Sequence, residues 1–527
     1  AIVAAASGLA GSFDPDHGGF GRGRKFPRPV TLFLLLRYHR RTGDPQALAM
    51  VERTLERMAS GGIHDQVGGG FHRYTVERTW LVPHFEKMLY DNAQLTMIYL
   101  EAHQVTGREE FAEVARRTLD YVAREMTTPG GGFHSATDAD SPAPSGHDEE
   151  GWFFTWTPDE IRLVLGEKDS PIILRHFGVT AAGNFEGRNI LRIAEPIERL
   201  APALKMKVSR LRERIDRARA RLYDARLVRP APHTDTKIIT AWNGLMISAF
   251  ARGARILGED GYRKRAEAAA AFILEHGRRK DRLVRSHADG RPGPAGVLSD
   301  YAFFEAGLLD LFESTFEPRW LEEALALQAT LDAHFRDGSS GGYFMTSDDA
   351  ENLLAREKPD YDGAEPAGNS VALLNLMRLY ELTGEERFRR EAEKGFAAFS
   401  RTIERSPHSV PLMLTALDFY LDRPKQVVLV TRRSIEDAEP FLDALADRFL
   451  PNRVVVTAVE GAGRLAGLTP LLENRTTIDG RATAYVCEGQ VCDLPTTDRE
   501  VFVTQIGKVH SYEGLTPAPL RLPRGAP

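Results

Sequence analysis

Up to about Asp422 the chain alternates between two kinds of helical stretch. In PVTLFLLLRYHRRTGDPQALAMVERTLERMA an almost wholly apolar helix runs into TGD. A second helix follows, with its apolar residues on one face. A helix apolar all round belongs inside, and one with a single apolar stripe covers it from outside. The phrase returns as NAQLTMIYLEAHQVTGREEFAEVARRTLDYVAREM, as DYAFFEAGLLDLFESTFEPRWLEEALALQATLDAHF and as GNSVALLNLMRLYELTGEERFRREAEKGFAAFS. A looser copy is AWNGLMISAFARGARILGEDGYRKRAEAAAAFILEH. Each predicts a helical hairpin, inner helix first. With a further helix over Val410–Leu421, the pattern predicts a mainly α protein built on a closed (α/α)6 toroid over residues 1–423. An open solenoid fits less well, because the repeats vary in length and their loops are rich in functional side chains.

Paired glycines closely followed by Phe punctuate the hairpins, at HGGFGRGRKFP (17–27), GGGFHRYTVERTWLVP (68–83), GGGFHSATDADS (130–141) and GGYFMTSDD (341–349). They predict sharp turns into short β-hairpins or loops. After Pro424 the texture changes. KQVVLVT and NRVVVTAV read as strands flanking the helix IEDAEPFLDALADRFL, and TAYVCEGQVCDLP extends the unit. Residues 424–527 are expected to form a small α/β lobe.

The 527 residues are 42% hydrophobic and 27% charged with a formal net charge of -6, which gives no reason to expect nucleic acid or an anionic membrane as partner. VSRLRERIDRARARL mixes its arginines with acids and reads as a solvated helix face. No apolar run is long enough to span a bilayer. The N-terminus has no basic region before its apolar residues, so no signal peptide is expected, and a cytoplasmic location is. The chain starts without Met on what reads as the end of a helix, as a piece of something longer would. The two cysteines, Cys487 and Cys492, are too few for a disulfide scaffold and read as buried thiols in a reducing compartment.

Chemistry concentrates in LVPHFEKMLYDNAQL (81–95). Pro83 suits a first helical position, which would put His84, Lys87 and Asp91 on one stripe and Glu86 and Tyr90 on the next. An inner helix of this kind would turn its polar stripe to the toroid cavity. The alternative is that these groups cap turns and tie loops by buried hydrogen bonds. Other inner helices open on Trp242-Asn243-Gly244, Asp300-Tyr301-Ala302 and Gly368-Asn369-Ser370. Asp91 and Asp300, helped by His84 and Glu86, are the expected acid and base. Taken alone, Asp300 also reads as a carboxylate at a helix start.

Trp80, Tyr90, Trp242 and Tyr301 are expected to stack on a ligand. His72, Arg73, Asp138, Asp140, Asp235, Lys237, Asn243, Asp362, Glu365 and Asn369 are expected to contact it. Trp152, Phe153, Phe154 and Trp156 fit a core better than a platform on which a sugar ring stacks, and Thr157, Pro158 and Glu160 fit a capping box. The Asp138-x-Asp140 pair lacks the rest of a calcium loop. No phosphate-binding loop, dinucleotide fingerprint, serine-hydrolase elbow or zinc motif is present, and no metal or cofactor is assigned.

The wording of GGGFHRYTVERTWLVPHFEKMLYDNAQL, GNFEGRNIL, AWNGLMISA, SDYAFFEAGLLDLFE, DGAEPAGNSVALLNLMRL and ATAYVCEGQVC resembles the YyaL/spermatogenesis-associated thioredoxin-domain family over about His17–Asp498. The resemblance implies an N-terminal thioredoxin-like domain, absent here, ahead of a toroid similar to N-acylglucosamine 2-epimerases and six-hairpin glycosidases. It carries over no catalytic residue. A carbohydrate-active enzyme acting on a small-molecule or glycan ligand is the leading expectation. Two facing carboxylates would suit hydrolysis, and two facing bases, His84 with His72 or His134, would suit epimerisation. The rival is a non-catalytic glycan- or protein-binding scaffold.

Overall fold

The computed structural model describes residues 1–351, 355–461, 463–489, 491–512, 520 and 522. Helices α1 (Ile2–Ser12), α2 (Pro29–Thr42), α3 (Pro45–Ser60), α4 (Leu89–Thr106) and α5 (Glu109–Glu125) open the chain. An insert follows, of α6 (Pro158–Phe177), α7 (Ile197–Ala203) and α8 (Val208–Arg226). Then come α9 (Thr240–Leu257), α10 (Asp260–His276), α11 (Leu298–Thr315), α12 (Pro318–His334), α13 (Gly368–Thr383), α14 (Glu386–Ala398), α15 (Ser400–Arg405), α16 (Pro411–Leu421) and α17 (Glu439–Ala446).

Six inner helices pack in a closed ring, α2 on α4, α9, α11, α13, α16 and back to α2. Outside them α3, α5, α10, α12 and α14 each cover the inner helix before them. The sixth outer place is taken by α1, which packs on α16 and α2. The structure is thus a mainly α (α/α)6 toroid, its last hairpin completed from the N-terminal side. The repeated TG of the sequence is the end of α2, α4 and α13, and Leu257-Gly258 ends α9 in the same way. Gly43, Gly107, Gly258 and Gly384 stop α2, α4, α9 and α13 in the left-handed conformation, at φ of 70°, 67°, 70° and 69°, where only glycine sits without strain. One core fills the ring, from Leu34 and Leu95 to Phe304 and Leu376.

Three of the four paired-glycine turns share one construction. Phe71 N–H donates to Asn92 Oδ1 at 2.7 Å and Asn92 Nδ2 returns a bond to Phe71 O at 3.1 Å. Asn243 holds Phe133 in the same two-way fashion (2.8 and 3.0 Å), and Asn369 holds Tyr343 (2.8 and 2.9 Å). Before three of the four turns an Asp stands paired to a lysine: Lys25–Asp14 at 2.9 Å, Lys87–Asp65 at 2.8 Å and Lys358–Asp337 at 2.9 Å. Each lysine also donates to a carbonyl of its turn: Gly18 and Gly21, Gly69, and Gly341 respectively. Gly70, at φ 75°, lies so close to Tyr121 that a Cβ would stand 2.4 Å from the ring.

The insert carries its own core, with Ile161, Leu165, Phe177, Leu211 and Leu222. Thr157 and Glu160 form the expected capping box on α6, with proline at its start. The C-terminal lobe is a four-stranded sheet. Lys425–Thr431 runs parallel to Arg453–Val459 across α17, and antiparallel to Thr483–Glu488, which carries Val491–Cys492 at the edge. Alternation along Arg453–Val459 splits its faces: Val454 and Val456 join the toroid core, and Val455 packs with Phe441 of α17. No helix among the described residues is long and apolar enough to cross a membrane.

Candidate active site

The segment around His84 departs from the expected helix. Pro83–His84 pairs antiparallel with Tyr74–Thr75, and Lys87–Met88 with Ala136–Thr137, so α4 starts only at Leu89. Extended backbone puts successive side chains on opposite sides. Phe85 and Lys87 are buried, whereas His84 and Glu86 reach half-exposed ground on the other side. His84 Nε2 stands 3.2 Å from Glu86 and its Nδ1 2.7 Å from Glu150, and Arg73 pairs with Glu86 at 2.9 Å. Lys87 turns inward as the tie to Asp65, which Arg226 also grips at 2.9 Å.

Where α4 begins, Tyr90 and Asp91 enter the N-terminal mouth of the ring. Asp91 is 4% exposed, and its Oδ2 is buried without a hydrogen-bond partner among the described residues. Burial pushes its carboxyl well above the usual range; Arg73 pulls it back, and the charges of Glu365 and Glu86 push it further up. From the α13 side comes Glu365, whose carboxylate accepts from Trp242 Nε1 at 2.8 Å. Gln94 pins this loop to α4 by donating to Ala364 O at 2.8 Å. Burial raises the Glu365 carboxyl too, against the bond from Trp242 and the charge of Arg285. The Tyr90 and Trp242 rings meet edge to face with centroids 4.8 Å apart. Tyr90, Asp91, Trp242 and Glu365, with Arg73 and Glu86 beside them, therefore form one cluster of two electrostatically coupled carboxyl groups and two aromatic rings. Arg285 and Gln94 are not among the expected site residues.

Several expected ligand contacts belong to the fold instead. Asp300 is fully buried: it accepts from Val297 N and Ala241 N (2.8 and 3.1 Å) and pairs with Arg285 at 3.0 Å. Its oxygens hold the entry to α11. Trp80 is wholly buried and donates to His17 O at 2.9 Å, and Tyr301 is buried with its hydroxyl accepting from Leu283 N. Neither ring can stack on a ligand. His72 is sealed against Phe85 and Phe154, and burial lowers its pKa to about 3, so it serves as no exchangeable base. Asn243 and Asn369 are the turn clamps described above. Asp362 accepts from Ala367, Leu412 and Met413 N–H groups and so fastens α13 to α16. Asp138 and Asp140 are exposed on the loop after Phe133, and Asp235 pairs with Lys237 at 3.0 Å. None of these four is drawn into the mouth cluster by a contact. The cysteines also differ from expectation. Cys487 and Cys492 face each other across adjacent strands and form a disulfide, with Cys487 buried and Cys492 exposed.

The chain is 38% identical over 522 residues to spermatogenesis-associated protein 20 of Homo sapiens, matching 92% of this chain and 66% of that protein. A Caenorhabditis elegans protein named only as uncharacterized is 33% identical over 517 residues, of which the chain covers 70%. The chain belongs to the spermatogenesis-associated protein 20 family. It spans about two thirds of the length of these family members. No family model matches it. Among solved structures it is similar to the cellobiose 2-epimerase of Spirochaeta thermophila DSM 6192 (15% identity, 76% of this chain and 96% of that one, TM-score 0.31). It is also similar to the unsaturated glucuronyl hydrolase of Bacillus sp. GL1 (12%, 78% and 96%, TM-score 0.33). Both likenesses are distant and assign no role to any residue of this family member.

Proposed function

We propose that the N-terminal mouth is a carbohydrate-active site that cleaves a glycosidic bond. The observation that carries the reading is Asp91, a buried carboxyl group with one oxygen free of partners among the described residues, its proton affinity raised by burial beside a second carboxyl group. Asp91 gives its proton to the leaving glycosidic oxygen as the bond to the anomeric carbon breaks. Glu365, nearer to solvent, takes a proton from the water that adds to that carbon. Trp242, half-buried beside Tyr90, offers an apolar face of the kind a sugar ring needs, and Arg73 with Glu86 offers hydroxyl partners. Hydrolysis is favoured over epimerisation because the mouth supplies acids, while His72 is sealed and His84 is engaged by two glutamates.

The test is release of reducing ends from an oligosaccharide panel by the wild type and by Asp91→Asn. Turnover of at least one substrate, falling about 10²- to 10⁴-fold in the variant, is expected of a lost general acid. No turnover and no saturable sugar binding by the wild type would sink the proposal and leave the binding-scaffold reading in place. The activity of the longer family members, with the thioredoxin-like domain that the resemblance implies, and a cytoplasmic site of action are further parts of this proposal.

A further inference from the structure

The opposite end of the ring holds a different kind of space. Between the C-terminal halves of the inner helices and the stretch 446–455 that the lobe lays across them is a cavity of about 120 Å³. That is room for roughly eight to twelve water molecules at 10–15 Å³ each. Its wall carries six arginines, Arg37, Arg252, Arg255, Arg378, Arg448 and Arg453, against three carboxylates, Glu101, Asp310 and Glu313.

The acids are already shared. Glu101 takes Arg37 at 2.6 Å and Arg252 at 3.4 Å. Asp310 takes Arg252 and Arg378, each at 2.9 Å. Glu313 takes Arg453 at 3.2 Å and Arg378 at 3.3 Å. Arg255 has a carboxylate only at 3.6 Å, the exposed Glu439. Arg448 donates to Ala444 O and has no carboxylate partner among the described residues. The Nε–H groups of Arg37 and Arg453 are buried with no acceptor among the described residues. The negative ends of the inner helix dipoles converge here and would attract some positive charge in any fold of this kind. They do not account for buried donors left unmatched around a space that no described side chain fills.

We propose that this chamber binds a small phosphate-bearing molecule of about the size of a sugar phosphate. A phosphate dianion matches both the excess of positive charge and the fork geometry of guanidinium groups. Leu442, Leu445 and Phe449 of the lobe form an apolar wall for its carbon part. The site is separate from Asp91 and stands or falls independently of the glycosidase reading.

Calorimetric titration of the whole chain with glucose 6-phosphate, inorganic phosphate and glucose, at matched ionic strength, tests it. Saturable binding of the two phosphates and none of glucose is expected. Arg448→Gln should weaken glucose 6-phosphate by about tenfold or more, while leaving the phosphate-free melting temperature unmoved. Arg255→Gln serves if that variant does not fold. The proposal is overturned if neither phosphate binds saturably at millimolar concentration. It is equally overturned if binding persists undiminished in the folded variant, or if that variant is destabilised without phosphate and binds as before; the arginines are then internal ties.

Discussion

The three lysine ties form a natural series, because one chemical arrangement recurs at three depths. Lys25 and Asp14 are both 0% exposed, Lys87 and Asp65 are 1% and 5%, and Lys358 and Asp337 are 22% and 10%. Replacing each lysine by Met keeps most of the stem and removes the charge. In the first two turns the aspartate keeps an arginine, Arg78 or Arg226, so no anion is abandoned. What is abandoned is the turn: Gly18 and Gly21 carbonyls in one case, Gly69 in the other. A lost charge-assisted bond at about 1.5–3 kcal/mol, plus about 1–3 kcal/mol for the one buried acceptor left empty in each turn, puts Lys25→Met and Lys87→Met near 3 kcal/mol each, the exposed Gly21 carbonyl being free to take water. At the Lys358 turn water can enter, and Lys358→Met should cost about 1 kcal/mol or less. Native-state amide exchange at each glycine turn reads these differences locally, which suits a chain too long for two-state unfolding. Equal costs in all three turns, or the largest cost at Lys358, would refute the view that burial sets the worth of the tie.

Burial opposes the charged form of Asp65, yet Arg226 and Lys87 hold its carboxyl well below the usual range. A depressed folded pKa contributes stability above the ordinary carboxylate pKa, at about 4, that is lost as pH falls through and below it. Acid should therefore open the turn at Gly69 early, seen as exchange or proteolysis there between about pH 4 and 2. Asp91 has the opposite sign. Its raised pKa means stability that drains away as pH rises above about 4, and Asp91→Asn should flatten that part of the thermal-stability profile. Gly70→Ala combines a strained left-handed residue with a Cβ driven into Tyr121 and should cost about 2–3 kcal/mol, measurable by thermal melting.

Much of the ring was readable because its signals are long. An apolar helix, a TG stop and an amphipathic helix repeat over more than thirty residues, and glycine is nearly alone in tolerating the left-handed stop. The candidate site was readable in part. Tyr90, Asp91, Trp242 and Glu365 stand together, but PHFEKM satisfies two periods at once. His84, Lys87 and Asp91 fit a helical stripe, while Phe85-in, Glu86-out, Lys87-in fits a strand. Six residues do not separate those readings, and the pairing that decides lies at Thr75 and Thr137, in other loops. Asp300, Asn243 and Asn369 misled for a related reason. A polar residue at the start of an inner helix looks alike whether it faces a ligand or clamps a turn, and only the partner distinguishes the two.

The completion of the ring by α1 sets a schedule for making the protein. Its partner α16 lies about 400 residues further along the chain. At roughly 5–20 residues per second a ribosome needs some 20–80 s to bridge that gap. Through that interval α1 has only the side of α2 and α3 to lie against, and five hairpins curve without a closing contact. Closure is then a late, long-range event, of the sort that makes folding slow and leaves nascent chains open to wrong partners. A growing cell would thus hold a population of open arcs on its ribosomes, each awaiting the arrival of α16 between α13, α2 and α1.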